Sequence, residues 1–234
     1  TLFLLSEFSS SPVFGSQANS VSAFSEDMFE ATLAAAAFEG RRGDAPGLRD
    51  EVAGNVAEIR ELVAQLRATR DLAPETEEGL VAISAGADSF AASFDAAANL
   101  KVERDAALVA FVATGDAARE ALSRLMDASN RAGDPRTTFS AAKVLESLLQ
   151  AQVDLQRYLV TGEEARLESA RQGLGYAAQQ LSWAATLMSD RDRSEILSAA
   201  RDLVERFAAE AEAIVALRAE RTATLTEMRA AEAA

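Results

Sequence analysis

Residues 74–131 read PETEEGLVAISAGADSFAASFDAAANLKVERDAALVAFVATGDAAREALSRLMDASNR. Pro74 suits the first turn of a helix, where its missing N–H costs nothing, and Glu75, Glu77 and Glu78 meet the positive end of the dipole. From Leu80 an apolar seam advances by threes and fours through Ile83, Ala87, Phe90, Phe94, Ala97, Leu108, Phe111, Ala118, Leu122 and Leu125. Lys101, Arg104 and Gly115 fall on that seam without disturbing its phase. It stops only at Gly133-Asp134-Pro135, where glycine terminates, aspartate can cap and proline opens the next helix. The stretch therefore predicts one helix of about 58 residues, roughly 87 Å long.

That length sets the measure for the rest of the chain. Downstream, Leu145, Leu148, Gln152, Leu155 and Leu159 mark one helix, and Leu167, Ala170, Leu174, Ala177, Leu181, Ala184 and Met188 mark another. After the polar stretch 189–194, a last helix runs through Ile196, Ala200, Leu203, Phe207, Glu210, Ile214, Leu217, Arg221, Thr224 and Met228. Upstream, Leu48, Val52, Val56, Ile59, Val63 and Leu66 form one seam, and Val21, Phe24, Met28, Ala31, Ala35 and Phe38 form an earlier one. The glycine-rich turn at residues 40–47, with Pro46, separates those two. Residues 1–14 are Ser-rich with a proline and are not assigned to a regular helix.

The predicted order is short-short-long-short-short-long. Helices two, four and five reach about 26 residues each and the last at least about 45. Two long and four shorter helices fill two four-helix bundles stacked end to end and sharing the long pair. The expected fold is all-α, with one module spanning about residues 15–100 plus 212–234 and the other about residues 101–211. Up-down connectivity brings both chain ends to one pole, as in a domain hung from two membrane spans. The chain starts on Thr1 and stops at Ala234 within a helical pattern, so it reads as a domain cut from a longer protein.

Composition narrows the chemistry. Of 234 residues 49% are apolar, while only 12 are glycine and 4 proline, a mix that favours long helices. The net charge of −14 argues against a nucleic-acid partner, which needs a basic face. With no Cys and no His, thiol nucleophiles, imidazole or thiolate zinc sites and Ser-His-Asp triads are excluded within one chain. Only carboxylate chemistry is left, and no acid pair stands isolated on an apolar face, so neither an enzyme nor a cofactor nor a metal is expected. No run approaches the length of apolar residues that spans a bilayer.

A second stretch, Gln156-Arg157-Tyr158-Leu159-Val160-Thr161-Gly162-Glu163, closes one helix and opens the next. Thr161-Gly162-Glu163-Glu164 fits a capping box, with Thr161 as cap and Glu164 at the third helical position. Thr114-Gly115-Asp116-Ala117 lacks the fourth-position acid, so Gly115 is expected inside an unbroken helix. A phosphate-binding loop needs more glycines, a lysine and a preceding strand. Arg42-Gly43-Asp44 reads as a turn.

The phrase 156–163, together with the helix order, resembles the helical bimodular (HBM) sensor domain over about residues 15–234. Such domains are the periplasmic, ligand-binding parts of bacterial methyl-accepting chemotaxis receptors and of some sensor histidine kinases. The resemblance implies a periplasmic domain of an inner-membrane protein, a homodimer in the full-length receptor, and flanking transmembrane helices outside this chain. It implies a small-molecule ligand, an organic acid or similar polar metabolite, gripped by basic residues on facing helices. Relatives often carry Arg on the first helix and six residues before the hairpin aromatic. Here the first helix has no basic residue before Arg41, and the second position is Gln152, which points toward a neutral or amphoteric ligand.

Polar residues at seam positions are the informative ones, because a buried polar group costs free energy unless partnered. Arg221 is the candidate carboxylate clamp of the membrane-proximal module, with Arg60 beside it. Gln152, Tyr158, Tyr176 and Trp183 are the candidates for the distal pocket. Each has a plainer reading: Arg221 solvated near a bundle end, Gln152 fixing register, Trp183 packing at a flank or a dimer contact. Lys101, Arg104 and Glu210 fall near the module junction, where an ion-pair cluster or snorkelling accounts for them. The expected function is a signal-input domain that transmits a small helix shift across the membrane. Two other readings stay open: a sensor that docks a periplasmic binding protein, and a structural helical spacer.

Overall fold

The computed structural model describes residues 46–68 and 72–233. Within them the chain is all-α: α1 (Pro46–Arg67), α2 (Pro74–Arg131), α3 (Pro135–Thr161), α4 (Glu164–Leu187) and α5 (Arg191–Ala233). No strand occurs among the described residues. The helix expected over residues 21–38, the Arg42-Gly43-Asp44 turn and residues 1–14 lie outside them. α2 is unbroken over its 58 residues, with Glu75 and Glu77 in its first turn.

Gly115 lies inside α2, and its lack of a side chain has a use. A Cβ there would come within 2.9 Å of the Phe207 ring of α5. Phe207 instead stacks on Phe111 with ring centroids 4.1 Å apart and planes 20° from parallel. A glycine in a helix interior costs about 1 kcal/mol relative to alanine, and here that cost makes room for an aromatic pair.

The chain divides into two compact units, Thr1–Asp105 with Ala219–Ala234, and Ala106–Arg218. Among the described residues, the first unit packs Val52, Val56 and Ile59 of α1 against Ala87, Phe90, Phe94 and Ala98 of α2, with Met228 of α5. Lys101 is fully buried in this unit, and its Nζ lies 3.4 Å from Asp105 Oδ2. Arg104 pairs with the same carboxylate at 2.8 Å, so the acid serves two cations along one helix face.

The second unit gathers four helical segments around one core. Leu122 and Leu125 of α2, Leu148 and Leu155 of α3, Leu174 and Leu181 of α4, and Val204 and Ile214 of α5 are all buried there. Alanines fill many of the remaining core positions, among them Ala118, Ala141, Ala177 and Ala200. Small side chains at the seam let helix backbones approach closely, so the core is dense without many aromatics. Glu210 in this unit bonds along its own helix to Arg206 at 2.8 Å.

Two connections shape the second unit. Gly133 (φ 68°) ends α2, and Asp134 caps α3 by accepting from the backbone N–H and the hydroxyl of Thr137, at 3.1 and 2.8 Å. Pro135 then opens α3. At the other end of α3 the capping-box expectation holds only in part: Thr161 Oγ1 accepts from the Glu163 N–H at 3.2 Å, but Thr161 is not the residue that caps α4. Thr161 is the last residue of α3, and its hydroxyl donates to the Arg157 carbonyl at 3.0 Å. Gly162, at φ 75°, closes the helix by donating its N–H to the Tyr158 carbonyl. α4 begins only at Glu164, with Glu163 at the cap position and no side-chain cap bond. α3 thus includes Thr161 itself, because Gly162 can take the left-handed conformation that ends the helix.

Candidate functional site

The α3–α4 hairpin is held by a buried carboxylate. Asp154 is fully buried on α3, one residue before core Leu155. Its carboxylate accepts from Gln150 Nε2 at 2.9 Å, from Ser169 Oγ at 2.8 Å and from Arg166 Nη1 at 3.2 Å. Ser169 and Arg166 belong to α4, so one acid staples two helices. The Gln150 hydrogen bond, helped by Ser169 and Arg166 and opposed by burial, holds its carboxyl below the usual carboxylate range. With three donors the site is a satisfied structural clasp rather than an open ligand position.

At the hairpin tip a residue of α5 does the holding. The Arg218 guanidinium lies 4.5 Å over the buried Tyr158 ring. A Cβ on Gly162 would stand 3.0 Å from Arg218 Nη2, so the arginine also rests on the turn itself.

One concavity of ligand size is a groove between α4 and α5, about 330 Å³ in volume. Its floor is Leu174, Ala178, Val204 and Ala208, with Gly175 on α4. Arg171, Glu205 and Glu212 supply its charged groups. Arg171 spans from α4 to α5 and donates from Nε and Nη2 to the two oxygens of Glu212, each at 2.7 Å. The guanidinium holds the Glu212 carboxyl below its ordinary value, and the carboxylate in turn raises the pKa of Arg171. Glu205 takes Arg201 Nε at 2.8 Å along the surface of α5.

The six residues singled out from sequence are dispersed. Arg60 is exposed and pairs with Asp88 of α2, its Nε and Nη2 at 2.7 and 2.6 Å from Oδ1. Arg221 is half-buried on α5 in the same unit. In the second unit Tyr158 is buried under Arg218, Gln152 is half-buried, and Tyr176 and Trp183 are exposed on α4. No hydrogen bond or ring contact joins Gln152, Tyr158, Tyr176 and Trp183 to one another.

Sequence reasoning passed over Asp154, Arg171, Glu212 and Arg218. A signal existed for the groove pair: Arg171 follows core Ala170 and Glu212 follows core Ala211, and such flanking positions on facing helices carry interhelical salt bridges. The chain matches no known family and no curated protein. No helix among the described residues is long and apolar enough to cross a membrane.

Proposed function

We propose that this chain is the signal-input domain of a bacterial transmembrane receptor, receiving a small polar molecule between helices and passing on a displacement of α5. The observation that carries the reading is the α4–α5 groove, apolar on its floor, with an arginine and two glutamates around it. A ligand seated there touches α5 directly. α5 is one continuous helix that contributes to both compact units. Packed helix interfaces hold discrete arrangements, so a small shift at the groove can be passed along such a rod. In this reading the two units are four-helix bundles sharing α2 and α5. The HBM-like order of helices, the periplasmic setting and the homodimeric receptor belong to the same proposal.

A second reading has its own observation. Phe139, Leu149, Val153 and Val160 of α3, with Tyr176 and Trp183 of α4, are large apolar residues exposed on one hairpin. That surface favours docking of a periplasmic binding protein. A thermal-shift screen of organic acids, amino acids and polyols separates the two, because a bound ligand stabilises the folded state by linkage. Under the small-molecule reading at least one class raises the midpoint, and the hit is lost in one of Arg171→Gln, Arg221→Ala or Gln152→Ala. Silence across every class overturns that reading in favour of the docking one.

A further inference from the structure

Resting on the sensor reading above, we propose that the α4–α5 groove is a site for a basic α-amino acid, lysine or ornithine in type. The match is one of charge order along the groove. Arg171 gives Glu212 its Nε and one Nη2 proton, which leaves Nη1 and the second Nη2 proton directed to another acceptor. An incoming α-carboxylate takes that end-on edge. Each Glu212 oxygen has a second lone pair, so the same pair accepts the adjacent α-ammonium. Arg171 and Glu212 are each about half exposed, and the approach is open.

The aliphatic stem then lies on Leu174, Ala178, Val204 and Ala208. A Cβ at Gly175 would meet nothing within 4 Å, so this stretch of α4 leaves space rather than filling it. Glu205 lies seven residues before Glu212, two turns along the same face of α5 and about 10 Å away by helical rise. An extended lysine side chain spans about 6 Å from Cα to its nitrogen, and the glutamate side chains cover the remainder. Arg201 engages one oxygen of Glu205 in an exposed pair, the weak kind, and leaves the other for the ligand's terminal ammonium.

Three charges in the groove, one positive and two negative, thus meet one negative and two positive charges on the ligand. Glu164 and Glu168 add negative potential around Arg171, which favours a ligand of net positive charge over a dicarboxylate. A diamine leaves the free edge of Arg171 unused, and a neutral amino acid leaves Glu205 unused.

Isothermal titration of the whole chain with L-lysine, L-ornithine, L-norleucine, 1,5-diaminopentane and glutarate tests this. Lysine or ornithine is expected to bind one to one, with norleucine and diaminopentane each weaker by about tenfold or more, as loss of a charge-assisted bond implies. Glu205→Gln should bring lysine down to the norleucine level while leaving norleucine unchanged. Arg171→Gln should abolish binding of both while the chain still unfolds in one cooperative transition, its midpoint only slightly lowered by loss of the exposed Glu212 pair. Silence of both basic amino acids, or lysine affinity unchanged in both variants, overturns the proposal. If another class still scores in the thermal-shift screen, the sensor reading stands without this ligand; if none does, both fall.

Discussion

Gly133 and Gly162 both sit in the left-handed region and each ends a helix, yet the connections they make are secured by different means. At Gly133 the grip is mostly local: Asp134 caps α3 through Thr137, three residues on, and only Arg193 Nη1, at 3.0 Å, reaches it from α5. At Gly162 the local support is slighter: Thr161 Oγ1 accepts from the Glu163 N–H at 3.2 Å, and the Glu163 side chain makes no cap bond. The hairpin is closed instead by Asp154 deep between α3 and α4, and by Arg218 resting on Tyr158 and the turn. A tight turn can therefore be fixed by its own residues or by groups distant in sequence. Both turns touch α5, through Arg193 at one and Arg218 at the other, and α5 is the helix proposed to carry the signal.

That contrast can be broken first at Asp154. Asp154→Ala removes the buried acceptor shared by Gln150, Ser169 and Arg166, at an expected cost of about 2–3 kcal/mol in urea denaturation. Asp134→Ala loses a cap and a partly exposed ion pair, and should cost about 1–2 kcal/mol. If the second substitution costs as much as the first, the distinction between buried clasp and local cap is wrong.

The glycines sharpen it further. Gly162→Ala and Gly133→Ala each force a side chain into the left-handed region, at about 1 kcal/mol apiece. Only at Gly162 does the new methyl also press on Arg218, since nothing lies within 4 Å of a Cβ at Gly133. Gly162→Ala should cost more, and the excess should disappear in an Arg218→Ala background, measured as a double-mutant cycle. Equal costs at the two glycines would show that Arg218 yields freely.

The smallest effect is expected in acid. Asp154 and Asp134 both have folded values depressed below 3.8, by the Gln150 bond in one case and the Thr137 backbone bond in the other. Each contribution is fully present above the unfolded value and is lost as pH falls through the lower folded value. Thermal midpoints between neutral pH and about pH 2 should drop, and Asp154→Ala and Asp134→Ala should each flatten that acid branch. A parallel acid branch in the Asp154 variant would contradict this.

What the sequence made legible was whatever depends on nearby residues. The unbroken α2, its proline start, the Gly133-Asp134-Pro135 boundary and Gly115 within the helix follow from seam phase and cap chemistry. Thr161 was misread because its hydroxyl serves a carbonyl four residues back as readily as an N–H ahead. The site was less legible. Seam analysis looks for polar groups pointing inward, whereas Arg171 and Glu212 flank the seam and pair across to a neighbouring helix, and Glu205 pairs along its own. Asp154 is buried although it lies beside the seam, because Ser169 and Arg166 converge on it from a helix whose register no local pattern fixes.

The claim that most needs testing is that this domain receives a small molecule in the groove that α5 helps to build. Saturation calorimetry of the best screening ligand on the wild-type chain and on Arg171→Gln, side by side, addresses it directly. The account predicts one saturable site in the wild type and its loss in the variant, with both proteins cooperatively folded at the titration temperature. Undiminished binding to Arg171→Gln would contradict it.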